Sequence, residues 1–151
     1  MRAVVTRVSS ASVRIDGELR GRIGRGFLIL LGVGPDDTEA QGRKLAEKIL
    51  GLRVFTDEND KMNLGLEDVG GGVLVISQFT LYGDCRKGRR PNFMGAAGPD
   101  IAIPLYEKFL ADCEALGFPP QHGEFGAHME VASVNDGPVT LILDTDELMK
   151  K

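Results

Sequence analysis

The sequence predicts a single α+β domain, in which a strongly curved, barrel-like, mostly antiparallel or mixed β-sheet packs against two main helices. Three observations support this prediction. Apolar, strand-like segments outnumber helical patterns, one of them is apolar on both faces, and two longer segments repeat their apolar residues at helical spacing. The 151 residues suffice for a hydrophobic core, and we expect residues 1–151 to form one domain.

The predicted strands begin at the N-terminus. Residues 2–8, 11–15 and 19–23 are predicted as three strands, and residues 27–33 are continuously apolar, as is typical of a central strand covered on both faces. A short strand over 53–55 and a long polar loop over 57–72 follow. The remaining strands are predicted over 73–79, 129–134 and 139–143, with a loop over 81–91.

Two segments have the pattern of amphipathic helices. Thr38 and Gln41 form a capping box at the start of the first, which we predict to end near Gly51. The second spans residues 99–116, and Pro104 must lie in its first turns or kink it. Its apolar stripe is formed by Ile101, Leu105, Phe109, Cys113 and Leu116. Cys113 is therefore predicted to be a core residue.

The composition excludes several classes of protein. A net charge of −4 argues against a generic nucleic-acid binder, and two histidines are too few for a multi-histidine metal site. Asp57, Asn59 and Asp60 lack the glycine and glutamate of an EF-hand. Two cysteines without a motif suggest a reducing cytoplasm, and no apolar run is long enough to cross a membrane. No metal or cofactor is implied.

One motif stands at the end of a predicted strand. The side chains of Ser77, Gln78, Phe79 and Thr80 would alternate between the two faces, with Ser77 and Phe79 on one. A strand end with two hydroxyls is one candidate for an acyl-transfer site. No His-Asp pair accompanies it, however, and polar groups that satisfy the local backbone would look the same.

A second motif surrounds Gly137-Pro138, within residues 135–140. An Asp-Gly pair between strands predicts an ordinary turn. The alternative is a rigid pair of carbonyl oxygens offered to a cation, because carbonyls accept hydrogen bonds and an ammonium group only donates them. The loop with Arg86, Lys87, Arg89 and Arg90 likewise has two interpretations, a solvated loop or a clamp for phosphate oxygens.

The chain resembles the D-aminoacyl-tRNA deacylase family over essentially its full length. The pieces that match, in order, are Arg7-Val8 with Ala11-Ser12-Val13, Leu30-Leu31-Gly32-Val33, Lys61-Met62-Asn63, Ser77-Gln78-Phe79-Thr80-Leu81, Arg90-Pro91 with Phe93, Phe125-Gly126-Ala127 with Met129, and Asn135-Asp136-Gly137-Pro138-Val139-Thr140. Any one piece is weak, but all of them in this order are a strong signal. The resemblance implies that family's fold and a homodimer with two active sites at its interface.

The resemblance also implies roles for residues. The carbonyls of Gly137 and a cis-Pro138 from one subunit would face the substrate's α-ammonium in the pocket of the other, with Arg7 holding that turn. Ser77, Gln78, Phe79 and Thr80 would form the ester pocket, and Met129 would lie near its wall. The substrate would be a D-amino acid on the acceptor end of tRNA. Glycine, including glycine mischarged on the tRNA for alanine, has no side chain to reject, so we expect its ester to be cleaved too.

The chemical step has two versions. In the first, Thr80 acts as a nucleophile. In the second, the terminal 2′-hydroxyl of the tRNA assists while the Phe79 N–H stabilises the oxyanion. The second version is favoured because no base for Thr80 is evident.

Two other functions compete with the deacylase function. A non-catalytic RNA-binding module would use residues 86–90. The acidic net charge and the lack of an aromatic stripe argue against this function. A small-molecule esterase would use Ser77 or Cys85, but no histidine partner is evident.

Overall fold

The structure, a computed structural model, describes residues 1–150 and consists of a β-sheet framework with two long and two short helices. The strands are β1 (Arg2–Ile15), β2 (Glu18–Ile23), β3 (Gly26–Gly32), β4 (Phe55–Thr56), β5 (Met62–Leu64), β6 (Gly72–Ser77), β7 (Gln121–His122) and β8 (Glu130–Asp144). The helices are α1 (Glu39–Leu50), α2 (Leu66–Val69), α3 (Pro99–Ala115) and α4 (Thr145–Leu148), and a 3₁₀ turn spans Phe79–Tyr82.

The main sheet is organised around β1. One side of β1 pairs with β8, and its other side pairs with β3 along its first half and with β2 along its second, all antiparallel. β3, β6 and β7 continue the sheet in parallel. The sheet curls until β2 approaches β7, where a Cβ on Gly21 would lie 3.1 Å from the His122 carbonyl oxygen. The predicted α+β class and barrel-like mixed sheet are confirmed.

Two strands are longer than predicted. Residues 2–8 and 11–15 form one continuous strand, because the exposed Ser9 and Ser10 between them contain no turn signal and the pairing with β8 runs past them. The prediction of separate strands over 129–134 and 139–143 is also wrong. Both belong to β8, since β1 pairs with each of them.

The predicted Asp-Gly turn is therefore a bulge within β8. Thr6 pairs with Thr140 and Val8 with Asn135, so residues 136–139 of β8 stand opposite the single residue Arg7 of β1. Surplus residues in one strand of a pair loop outward and bend it. The bulge thus presents residues 136–138 to solvent without interrupting the sheet, while Val139 is half-buried.

The core lies on both faces of β3, as predicted. Phe27 and Ile29 pack with α1 and α3 in the larger cluster, whereas Leu28 belongs to a smaller cluster inside the curved sheet. The capping box of α1 is present, with the Thr38 N–H donating to Gln41 Oε1 at 2.8 Å. In α3, Cys113 is fully buried as predicted.

The helical stripe and the polar loop depart from prediction in detail. Ile101 is exposed, and Tyr106 is buried in its place, with Pro104 inside α3. Residues 57–72 are not a plain loop but contain β5 and α2. Leu66 of α2 is fully buried and fixes this segment, whereas Met62 of β5 is 56 % exposed. Phe55 and Thr56, rather than residues 53–55, form β4.

Candidate active site

A cavity of about 230 Å³ opens where β6 ends. One wall comes from the end of β6 and the turn after it, and the other from the segment that leads into β8. The lining residues are Ile76, Ser77, Gln78, Phe79, Phe125, Gly126, Ala127, His128, Met129 and Val131. The structure thus brings together Ser77, Gln78, Phe79 and Met129, which the sequence singled out, while Thr80 lies beside the cavity.

The backbone leaves the sheet directly after Ser77. The Gln78 N–H still donates to the Leu31 carbonyl at 2.7 Å, and Phe79 then begins the 3₁₀ turn. The prediction that residues 77–80 alternate between two strand faces is therefore wrong. As the first residue of that turn, Phe79 has an N–H with no acceptor within the turn, because the first amides of any helix lack one.

Among residues 1–150, neither hydroxyl of the site is hydrogen-bonded to a base. Thr80 Oγ1 accepts a hydrogen bond from the Gln78 amide nitrogen, and an amide cannot take up a proton at neutral pH. Within residues 1–150, no histidine or carboxylate is hydrogen-bonded to Ser77 or Thr80. The cavity can therefore hold and orient an ester, but no base is hydrogen-bonded to its serine or to Thr80 among residues 1–150, as an activated nucleophile requires.

The bulge of β8 is held by Arg7, which is only 8 % exposed. Arg7 Nε donates to the Asp136 carbonyl at 2.8 Å, and Nη1 donates to the Val54 carbonyl at 2.7 Å. Gly137, at φ +140°, and Pro138 are exposed and joined by a cis peptide bond. Neither residue lines the cavity of its own chain. The structure therefore separates the two motifs within one molecule.

Comparisons with known proteins show the family of the chain. A family model described as D-Tyr-tRNA(Tyr) deacylase matches residues 4–144. The chain belongs to the D-aminoacyl-tRNA deacylase family. A D-aminoacyl-tRNA deacylase of Desulfatibacillum aliphaticivorans is 57 % identical over 145 residues, covering 96 % of this chain and 99 % of the relative. One from Thermus aquaticus is 58 % identical over 147 residues, covering 97 % of each chain.

The fold of this deacylase matches solved structures. The structure of a c-Myc DNA unwinding element binding protein superimposes with a TM-score of 0.90 at 41 % identity, covering 95 % of this chain and 98 % of the other. The predicted family membership is confirmed, and with it the hydrolytic activity on aminoacyl-tRNA esters that defines a deacylase.

The basic loop of the deacylase lies just beyond the cavity. Arg86 binds Asp84, with Nη2 at 2.7 Å from Oδ2, and the hydrogen bonds from Arg86 lower the pKa of the Asp84 carboxyl. Lys87, Arg89 and Arg90 are exposed and form no ion pair with any of residues 1–150. Three cations of the predicted four therefore remain free for anionic groups.

Several cavity residues were not predicted as site residues. Phe125, Gly126, Ala127 and His128 line the wall opposite Phe79, and they follow no strand or helix periodicity that would indicate a site. The one signal was the Phe125-Gly126-Ala127 piece of the resemblance. His128 is exposed and borders the cavity. Cys85 is free and exposed, and its thiol forms no hydrogen bond with a histidine or carboxylate among the described residues.

Residues 1–150 contain neither a metal-binding cluster nor a membrane-spanning helix. No group of three or more His, Cys, Asp and Glu side chains is arranged to hold a metal ion. No helix in this range is long and apolar enough to cross a membrane.

Proposed function

We propose that this deacylase hydrolyses the ester between a D-amino acid and the acceptor end of tRNA and spares the L-ester. The observation that carries this proposal is the division of the site. A cavity without an activated nucleophile holds Ser77 to Phe79, and a rigid, exposed pair of carbonyls at Gly137 and Pro138 stands apart from it. The cavity can hold an ester, and the carbonyl pair can hold an ammonium group. Both can act on one substrate only if two chains meet.

The proposed assembly is a homodimer in which each bulge enters the partner's cavity. Among residues 1–150, β8 pairs only with β1, so its other edge has unpaired backbone groups. Val134 and Ile142 on this strand are 56 % and 80 % exposed. A long exposed edge with apolar side chains invites association unless another chain covers it. A second copy of the chain would cover this edge and place Gly137 and Pro138 in the partner's cavity.

Stereochemical selection follows from fixing the ammonium group. Carbonyl oxygens of Gly137 and Pro138, held in place through Arg7, would accept its hydrogen bonds. The hydrogen and side chain on the α-carbon then occupy fixed directions. A D-side chain points out of the cavity, whereas an L-side chain meets backbone, and this steric conflict rejects it. Met129 and Phe125 border the cavity in which this choice is made.

For the chemical step, we propose assistance by the tRNA itself. Water adds to the ester carbonyl carbon, and the ribose oxygen leaves with a proton. The neighbouring 2′-hydroxyl assists, Ser77 and Gln78 position the ester, and the Phe79 N–H donates to the developing oxyanion. The lack of a base at Thr80 supports this version over a covalent one. Lys87, Arg89 and Arg90 would contact phosphates near the acceptor end, Arg86 remaining paired with Asp84.

The test is parallel deacylation of one tRNA charged with D-Tyr or with L-Tyr. We expect the D-ester to disappear at least about tenfold faster than the L-ester, because a steric misfit of a few kcal/mol separates rates by that factor or more. Equal loss of both would remove the stereochemical role of Gly137 and Pro138. If the folded protein cleaves neither, a non-catalytic RNA-binding module becomes the better description.

A third ester extends the same assay. Glycine has no side chain for the wall to reject, so glycine charged on the tRNA for alanine is expected to be hydrolysed at a rate closer to the D-ester than to the L-ester. If the glycyl ester survives conditions that remove the D-ester, exclusion of the L-side chain is not sufficient to explain selection. A contact with the D-side chain would then be required as well.

Substitution of Thr80 by alanine distinguishes the two chemical versions. We expect the turnover of D-tyrosyl-tRNA to remain within about tenfold of wild type, because the lost hydroxyl accepts one hydrogen bond and performs no covalent step. Single-turnover rates measure this directly. Complete loss of activity in a folded variant would revive Thr80 as the nucleophile. Thr80→Ser serves as the control, since it keeps the hydroxyl.

We further propose that residues 1–151 form one deacylase domain and that it acts in the cytoplasm. The family model spans residues 4–144, which leaves little chain outside it. Both cysteines are free in the structure, as expected in a reducing compartment.

A further inference from the structure

Three apolar side chains beside the cavity are exposed, and we call them the aromatic ledge: Phe79, Phe93 and Met94. Their exposed fractions are 54 %, 36 % and 87 %. By contrast, Phe27, Phe55 and Phe109 are fully buried. The rings of Phe79 and Phe93 meet edge to face, with centroids 5.2 Å apart and planes inclined by 76°. The ledge therefore places two aromatic rings in solvent at the cavity edge.

The ledge is held in place by backbone contacts rather than by burial. Asp84 and Asn92 pair across the base of the basic loop, with hydrogen bonds of 2.7 and 2.9 Å. The Met94 N–H donates to Asn92 Oδ1 at 2.8 Å. Phe93 packs on the backbone at Gly83, where an added Cβ would lie 3.1 Å from its ring. A fixed ring in solvent presents an apolar face at little further cost in conformational entropy.

Positive charge adjoins the ledge. The loop closed by Asp84 and Asn92 contains Lys87, Arg89 and Arg90, which are exposed and without ion pairs in the described chain. Proteins bind single-stranded RNA with this combination, because bases stack on aromatic faces while cations follow the phosphates. An apolar protein partner would cover the rings but would offer no anionic groups to the three cations.

We propose that the aromatic ledge and these three cations bind the unpaired nucleotides that immediately precede the esterified adenosine of the tRNA. This inference rests on the proposed function. Phe79 belongs both to the cavity lining and to the ledge, so RNA whose ester occupies the cavity passes Phe93 as it leaves. At least one base stacks on Phe93, and the adjoining phosphates meet Lys87, Arg89 and Arg90. The ledge thereby distinguishes a tRNA end from a lone aminoacyl nucleoside.

The experiment compares two substrates that share the ester, D-tyrosyl-tRNA and the D-tyrosyl ester of adenosine, which lacks the preceding nucleotides. For Phe93→Ala, we expect kcat/KM on the tRNA to fall roughly 5- to 100-fold, the range given by the loss of one stacked base. For the same variant, we expect kcat/KM on the adenosine ester to stay within about twofold of the wild-type value. Phe93→Trp retains activity on tRNA, and Phe93→Leu loses it, because leucine keeps apolar bulk without an aromatic face.

Leu19→Ala is the matched control, since Leu19 is an exposed apolar residue of β2, 42 % exposed and outside the cavity lining. Four results would overturn the inference. If kcat/KM falls equally on both substrates, Phe93 only supports Phe79. If kcat/KM changes on neither substrate, the ledge binds no RNA. A change in oligomeric state for Phe93→Leu would make the ledge a subunit contact. If wild type hydrolyses neither ester, the proposed function fails, and the ledge with it.

Discussion

Replacement of Gly26 by alanine is expected to lower the free energy of unfolding by about 4 kcal/mol, in the upper range for single substitutions. Gly26 opens β3 and pairs with Gly72 of β6 in parallel. A Cβ on Gly26 would overlap the Gly72 carbonyl oxygen and lie 2.7 Å from the Gly72 nitrogen. The φ angle of +156° adds strain for any L-residue. Both obstacles are backbone, so neither can rotate away.

Urea unfolding of Gly26→Ala beside Gly24→Ala measures this effect. Gly24 is two residues earlier in the same turn, and a Cβ there would meet nothing within 4 Å. We expect Gly24→Ala to change stability by less than about 0.5 kcal/mol. Similar losses for both variants would mean that the turn, and not the close approach of β3 to β6, limits stability.

Replacement of Arg7 by alanine is expected to reduce D-ester hydrolysis about 100-fold, because a reacting group misplaced by about 1 Å costs that much. Arg7 donates to the carbonyls of Asp136 and Val54, and thereby ties the bulge of β8 to the start of β4. Without it, both oxygens lose their donors, and residues 136–139 lose their fixed position opposite β1. Stability is expected to fall by roughly 1–3 kcal/mol, the cost of one unsatisfied acceptor, because water can replace Arg7 at the exposed Asp136.

Arg14→Ala is the control for Arg7, on the same strand. Its guanidinium makes one exposed hydrogen bond, to the Gly17 carbonyl at 3.3 Å, and its loss should change neither rate nor stability measurably. Arg7→Lys separates charge from geometry. A lysine reaches one carbonyl but cannot span two, so we expect an intermediate rate. Full activity of Arg7→Lys in a folded protein would show that charge alone suffices.

The parts of the fold that depend on local signals were predictable. Helix α1 could be located because its capping box and its apolar spacing lie within one segment. β3 was recognisable because a strand covered on both faces has no polar positions. The family resemblance identified the residues of both motifs, since their order along the chain is itself the signal.

The parts that depend on distant pairing were not predictable from local patterns. Asp136-Gly137 has the residues of a hairpin turn, yet β1 pairs with both flanking segments and turns the hairpin into a bulge. The exit of Gln78 from β6 is likewise set by contacts outside residues 77–80. Exposure of Phe79 and Phe93 could not be read from the sequence, because aromatic residues are more often buried.

The unactivated hydroxyls of the cavity have a consequence for how such an enzyme is detected and inhibited. Reagents of the fluorophosphonate type label serine hydrolases by reacting with a hydroxyl that a neighbouring base has made nucleophilic. No base is hydrogen-bonded to Ser77 or Thr80 among the described residues, and His128 borders the cavity without such a bond. Activity-based profiling of a proteome would therefore pass over this hydrolase. Inhibitors would have to imitate the shape and charge of the aminoacyl end instead of trapping a reactive side chain.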